Sequence, residues 1–452
     1  MSDRRANPSR SPLTRLGLAM VLAFGAAGGA QAQSLQDLYD AARGFDASYL
    51  SARSLADSAQ YKAAQADALA RPSVGLSTGV SAQRTEPASG NNINSATVQA
   101  GVNGRYALYN RGNSLSIEQA QRALSVAQAD LELAEQDLIV RVAQAYFDVL
   151  GAQDTLTTTR AAKAAIAEQL ASAKRNFEVG TATITDSREA QAKFDLATAV
   201  ELGAENDLRV KGVTLDQLVG RVGVAPKPLA QPVALPAVMP VNVDPWVNQA
   251  DDMHPLIRKA RLGLEVAQLE TAKSRAADGI TVDMTGGLNV QNQHNSLSGP
   301  ANLAAGAGTA KVANLGLSIN YPLYSGGAIQ NRLKETLALE EKSRNDLDYA
   351  RRAVAEGTKR AFFGVQSLRA QVNAYEAAES SSKLALDATQ LGYKVGVRVN
   401  LDVLNAQTQL YTTQRDLAKA RYDVLVNSLK LRQASGQLKP ENISAVNTLL
   451  AK

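Results

Sequence analysis

The 452-residue sequence has no cysteine, two histidines, one tryptophan and only 5% aromatic residues. Without cysteine there is no disulfide, no thiolate metal site and no lipid anchor of the cysteine-linked kind. His254 stands beside Pro255 and His294 in a polar loop, neither with a ligand or nucleophile partner at a telling spacing. No glycine-rich phosphate cradle with its lysine occurs, so the inventory points away from an enzyme, a cofactor or a metal centre. Beyond residue 32 no apolar run approaches the roughly 20 residues that a membrane-spanning helix needs. Such a chain can enter a membrane only with β-strands. Proline is missing from 88–225 and from 323–439, which leaves room for two very long helices.

Residues 1–32 read as a cleaved secretory signal. Arg4, Arg5, Arg10 and Arg15 form a basic region, Leu16 to about Ala27 a short apolar one, and Ala30-Gln31-Ala32 a small-residue cleavage site. The alternative, a single membrane anchor, needs a longer apolar run. Removing the segment takes away four arginines and Asp3, so the formal net charge of +5 falls to about +2. The remaining basic residues are scattered, which speaks against a nucleic-acid partner.

What the sequence does contain is a duplication. "NFEVGTATITDSREAQ" (Asn176 to Gln191) and "GYKVGVRVNLDVLNAQ" (Gly392 to Gln407) align without a gap, Gly180 on Gly396 and Asp186 on Asp402. "YALYNRGN" from Tyr106 matches "YPLYSGGA" from Tyr321, "AYFDV" from Ala145 matches "AFFGV" from Ala361, and "LDQLVG" from Leu215 matches "LRQASG" from Leu431. The order and near-constant offset identify a first repeat over 33–220 and a second over 246–436. A Pro-rich linker over 221–245 joins them, and 437–452 form a C-terminal tail.

Within each repeat the periodicity changes in a fixed order. Leu124, Ala127, Leu131, Ala134, Leu138 and Val142 keep a spacing of three or four, the stripe of a packed helix. Long helices are predicted over about 113–179 and 328–395, each about 100 Å at 1.5 Å per residue, with Gly180 and Gly396 as helix stops. Shorter helices follow over about 186–218 and 401–434. Ahead of each long helix the period is two, predicting strands over about 73–83, 97–109, 280–291 and 312–324, apolar on one side and polar on the other. A soluble sheet resting on a core is the alternative, but nothing else in the chain looks like that core. Four strands cannot close a barrel, so several chains must share one; two would fill the interior, whereas three, with twelve strands, could leave a lumen.

Taken together, the signal, the duplicated helix, strand, strand, long helix and helix, "YPLYSGG" and the paired "VG…D" turns resemble the TolC family of outer-membrane efflux and type I secretion ducts, on its unlipidated branch. The resemblance implies a mixed fold of long antiparallel helices forming a trimeric α-barrel, with four strands per chain in a shared twelve-stranded outer-membrane β-barrel. It also implies a homotrimer in outer-membrane lipid, a periplasmic adaptor (membrane fusion) protein, and an inner-membrane efflux pump or type I secretion ATPase. A coiled-coil structural protein of the periplasm or cell surface is the competing reading.

By resemblance the two turns form a periplasmic tip closed at rest, with Thr185 and Asp186 on one side of a gate latch and Tyr393 and Arg398 on the other. Asp402 matches the first of two acidic positions that ring the mouth; the second is Asn405, which weakens the expected cation filter. Glu189 is a possible accessory acid. The alternatives for these acids are structural: Asp186 with Glu189 fits a capping box, and Asp402 suits the first turn of a helix.

Overall fold

The computed structural model describes residues 32–86, 92–230, 232, 233, 235, 237–298 and 308–451. The expected signal, apart from Ala32, and the middles of two strand-connecting loops lie outside the described residues. The first repeat runs α1 (Leu35–Phe45), α2 (Ala47–Asp67), β1 (Ser73–Thr85), β2 (Asn92–Tyr109), α3 (Arg111–Glu178) and α4 (Ile184–Val219). The second runs α5 (Asp244–Met253), α6 (Pro255–Ala276), β3 (Thr281–Ser298), β4 (Gly308–Asn320), α7 (Ala328–Lys394) and α8 (Asn400–Ala434), and a short α9 (Glu441–Asn447) follows. The leading helix of each repeat is broken in two, and a side chain caps each break. Asp46 Oδ1 accepts from the Tyr49 amide at 2.8 Å, and His254 Nδ1 from the Leu256 amide at 3.1 Å.

Helices α3 and α7 have 68 and 67 residues, about 100 Å of uninterrupted helix each. The middle of α3 is tied into one hub. Leu35, Leu38 and Tyr39 of α1, Leu138, Val142, Tyr146 and Phe147 of α3, and Leu425, Val426 and Leu429 of α8 share a single buried cluster. Ile443, Val446 and Leu450 of the tail join it, so the C-terminal segment is part of the core. The linker is equally well anchored: Ala230 N donates to Leu449 O at 2.9 Å, Ala451 N to Pro228 O at 2.8 Å, and the Tyr146 hydroxyl to Lys227 O at 2.9 Å. Arg141 locks α3 to the α1–α2 corner with paired bonds of 2.8 and 3.0 Å to Asp46.

Nearer the sheet, α3, α6 and α7 meet around Glu270. Its carboxylate accepts from Gln119 at 3.0 Å, from Lys273 at 3.1 Å and from Arg332 at 2.8 Å. Burial acts to raise its pKa, but these three donors outweigh burial and hold it down at about 2. A carboxylate with a depressed folded pKa contributes stability that is present above its unfolded value and lost as pH falls through the folded one. The Tm of the purified protein is therefore expected to fall as pH drops from about 4.5 to 2, and Glu270→Gln to flatten that part of the profile while lowering Tm at neutral pH.

The four strands form one antiparallel sheet in chain order. Direct partners place Leu76, Val102, Leu288 and Ala313 in one row, and Val74, Gly104, Gly286 and Leu315 in the next. The other face carries Gly75, Asn103, Gly287 and Asn314 in one row and Ser77, Gly101, Asn289 and Val312 in another. Here the small residues make room for the amides: a Cβ on Gly101 would lie 1.7 Å from Asn289 Oδ1. The strands begin earlier or run further than periodicity alone indicates, because polar residues such as Asn94 and Asn292 continue the ladder. Strand β4 likewise begins early, at Gly308, but stops at Asn320, before Tyr321 and Leu323. Pro322 has no amide hydrogen to donate. Both outer edges, β1 and β4, are unpaired in the described chain, and the apolar face is bare: Leu76 is 80% and Leu315 81% exposed.

Candidate functional site at the helical tips

Both long helices end in the same device. After α3, Thr181 N donates to Asn176 O at 2.8 Å and Gly180 N to Phe177 O at 3.0 Å; after α7, Val397 N donates to Gly392 O at 2.9 Å and Gly396 N to Tyr393 O at 3.1 Å. These are matched Schellman ends, and they require a left-handed residue just past the helix. Gly180 and Gly396 supply it at φ of 77° and 78°. The expected helix stops are therefore the glycines that reverse the chain.

The helices that leave the two turns start differently. Thr183 caps α4, its hydroxyl accepting from the Asp186 amide at 3.2 Å while the Asp186 carboxylate accepts from the Thr183 amide at 3.0 Å and hydroxyl at 2.7 Å. The capping box thus lies one turn earlier than an Asp186–Glu189 pairing, because Thr183 takes the cap and α4 begins at Ile184. Thr185 is exposed, and Asp186 and Glu189 are half-buried on the first two turns. Helix α8 starts at Asn400 with no side-chain cap at all.

The two turns touch through a residue that the sequence does not mark. Asn176 Nδ2 donates to the Tyr393 hydroxyl at 3.2 Å. Asp186 makes its bonds within its own turn, and Arg398 makes a loose pair with Asp402 at 3.7 Å, so neither meets its expected latch partner inside one chain. Asp402 is 40% exposed and carries this guanidinium beside it, while Asn405 is exposed. Asn176 aligns with Gly392 in the second copy, so the repeat offers no duplicate that could have flagged it.

Beneath the tips the two helix pairs are held unequally. Ile166, Leu170 and Ala173 of α3, Ala190 of α4 and Leu404 of α8 form a continuous apolar core. The seam between α7 and α8 is mixed. Val403 and Leu410 pack with Leu386, but Asn400 and Gln407 share their stripe, and both Asn400 amide atoms and Gln407 Oε1 are buried without a hydrogen-bond partner. Partnerless buried amides cost about 1–3 kcal/mol each, so this seam is the weaker one. The outermost residues are apolar and free: Val179 is 72%, Val395 66% and Val397 78% exposed.

His254, the one buried histidine, is spent on capping α6, and the described residues hold no cluster of side chains suited to a metal.

Comparison with known proteins gives this architecture its place. The family model described as outer membrane efflux protein matches residues 38–221 and 246–437, the two repeats. The outer membrane protein TolC of Vibrio cholerae is 31% identical over 419 residues, 92% of this chain and 93% of that protein. TolC of Escherichia coli is 29% identical over 368 residues, 80% of this chain and 74% of that protein. Among solved structures, the Vibrio cholerae outer membrane protein VceC superposes with a TM-score of 0.72 at 21% identity, over 89% of this chain and 96% of that one. A CusC structure does so at 0.75 and 19%, over 90% and 92%. The chain belongs to the outer membrane efflux protein family, and it is a non-enzymatic channel of the Gram-negative outer membrane with its helices in the periplasm.

Proposed function

We propose that three copies of the chain close one twelve-stranded barrel and one helical tube, forming a passive exit duct that is shut at its periplasmic tip until a partner docks. The observation that best supports this is the bare, two-faced sheet with two open edges. An unpaired edge in lipid costs several kcal/mol per backbone group, which copies joining β1 to β4 would remove. Along the tube, Leu384 and Leu391 of α7 and Leu196 and Leu202 of α4 stay exposed in a single chain and suit contacts between copies. The exposed Val179, Val395 and Val397 at the tip suit a periplasmic adaptor, itself tied to an inner-membrane pump or type I secretion ATPase.

In this reading the Asn176–Tyr393 bond is the part of the latch within a chain, and Asp186 and Arg398 complete it between neighbouring copies. Asp402 places one carboxylate per copy at the mouth, with Asn405 and the adjacent Arg398 keeping the cation filter weak. Asn400→Leu, which replaces an unpartnered buried amide by a side chain of similar size, is expected to tighten the α7–α8 seam by about 1–3 kcal/mol and to reduce the open fraction in bilayer recordings.

Relatives named for alkaline protease secretion, in Pseudomonas aeruginosa, and for cation efflux, in Escherichia coli, both match the chain. We therefore assign the choice of cargo to the inner-membrane partner. Cell fractionation with native mass measurement tests the reading: a trimer from the outer membrane is expected, and a periplasmic monomer would overturn it. In that trimer Asp402→Ala should weaken block by trivalent cations.

A further inference from the structure

Tyrosine aside, the ionisable side chains on the apolar face of the sheet are all basic types, and each lies toward the end of its own strand that is away from the helices. Followed away from the helices along this face, β1 reaches Arg84, β3 reaches His294 and β4 reaches Lys311. Among the described strand residues no aspartate or glutamate shares the face; Asp283, paired with Arg105 at 2.8 Å, lies on the other one. Charge on the lipid side of a barrel is strongly disfavoured at the bilayer midplane and tolerated only near the interfaces. The positions of these residues therefore mark a boundary.

The spacing agrees. Lys311 stands ten residues from Tyr321, just past β4, and Arg84 ten residues from Val74, at the start of β1. At about 3.3 Å per residue and a tilt of about 40°, each rises about 25 Å, the height of an outer-membrane apolar band. Between the two limits lie Leu76, Val80, Val102, Leu288, Leu315 and Leu317. Arg84, His294 and Lys311 are all exposed, and Arg84 pairs with the equally exposed Glu86 at 2.9 Å.

We propose that Arg84, His294 and Lys311 form a basic collar that binds the phosphorylated headgroups of outer-leaflet glycolipid, whose acyl chains lie on the valines and leucines below. A guanidinium and an ammonium on long stems can reach up from the edge of the apolar band and meet phosphate oxygens. The inference rests on the shared-barrel reading, in which β1 of one copy adjoins β4 of the next and brings Arg84 and Lys311 into one sector.

The test is native mass spectrometry of the purified full-length protein incubated with bisphosphorylated lipid A, with the same lipid lacking its phosphates, and with 10-fold excess inorganic phosphate as competitor. The wild type should retain the phosphorylated lipid at least about tenfold better than Arg84→Gln/Lys311→Gln, and the dephosphorylated lipid no better than the variant does. Inorganic phosphate should displace little of it. Equal retention by variant and wild type, or equal retention of both lipids, overturns the proposal, and complete displacement by inorganic phosphate replaces the lipid site with a free-anion site. Bilayer recordings on the same samples separate the two readings: a variant that conducts like the wild type shows an intact channel, whereas a wild type that forms none refutes the shared barrel itself.

Discussion

Replacing Tyr393 by phenylalanine and Arg398 by serine together is expected to raise the open fraction of the channel about tenfold in planar bilayers. The first change removes the hydroxyl that accepts from Asn176, and the second removes the one guanidinium at the second turn. Polar links of this kind, half-buried or exposed, are worth about 1 kcal/mol each, so two of them in every copy shift a closed resting state by a few kcal/mol in all. Nothing in the weak α7–α8 seam would restore the balance, because Asn400 and Gln407 have no partners to gain there. The same variant should also become more cation-selective, since no guanidinium then sits 3.7 Å from Asp402. Currents identical to the wild type would leave the fold intact and remove these residues from the gate.

The second large effect distinguishes neighbours in one strand. Leu288→Arg puts a charge on the apolar face, two-thirds exposed in the single chain, and is expected to cost about 2–4 kcal/mol per copy near the midplane of the bilayer. Asn289→Arg points to the polar face, beside Asn103, where a long cation can extend into water. The yield of folded protein in the outer-membrane fraction should collapse for the first and stay near wild type for the second. A reversed or equal response would mean that the apolar face does not meet lipid.

Much of this arrangement was legible in the residues, for identifiable reasons. A period of two over Val74, Leu76, Thr78 and Val80 and a period near 3.6 from Leu124 to Val142 are direct consequences of having one dry face, so both survived into the structure as strand and helix. Glycines whose backbone must be left-handed, Gly180 and Gly396, are similarly hard to replace and marked the turns. What stayed hidden depends on contacts between distant segments. The docking of Ile443 and Val446 onto α1 is set by the shape of the hub, and a short tail has no periodicity that announces it. Asn176 acts on Tyr393 only because two helix ends happen to stop level with each other. The cap on α4 fell to Thr183 instead of Asp186 because both residues satisfy the local rule, and helix length decided between them.

Single-channel recording of the purified wild-type protein tests most directly whether this chain makes a tip-gated, cation-preferring duct. Discrete channels of low conductance are expected, carrying cations in preference to anions and blocked by trivalent cations from the side of the helical tip. Absence of discrete channels, or large anion-preferring currents that trivalent cations leave untouched, would contradict such a duct.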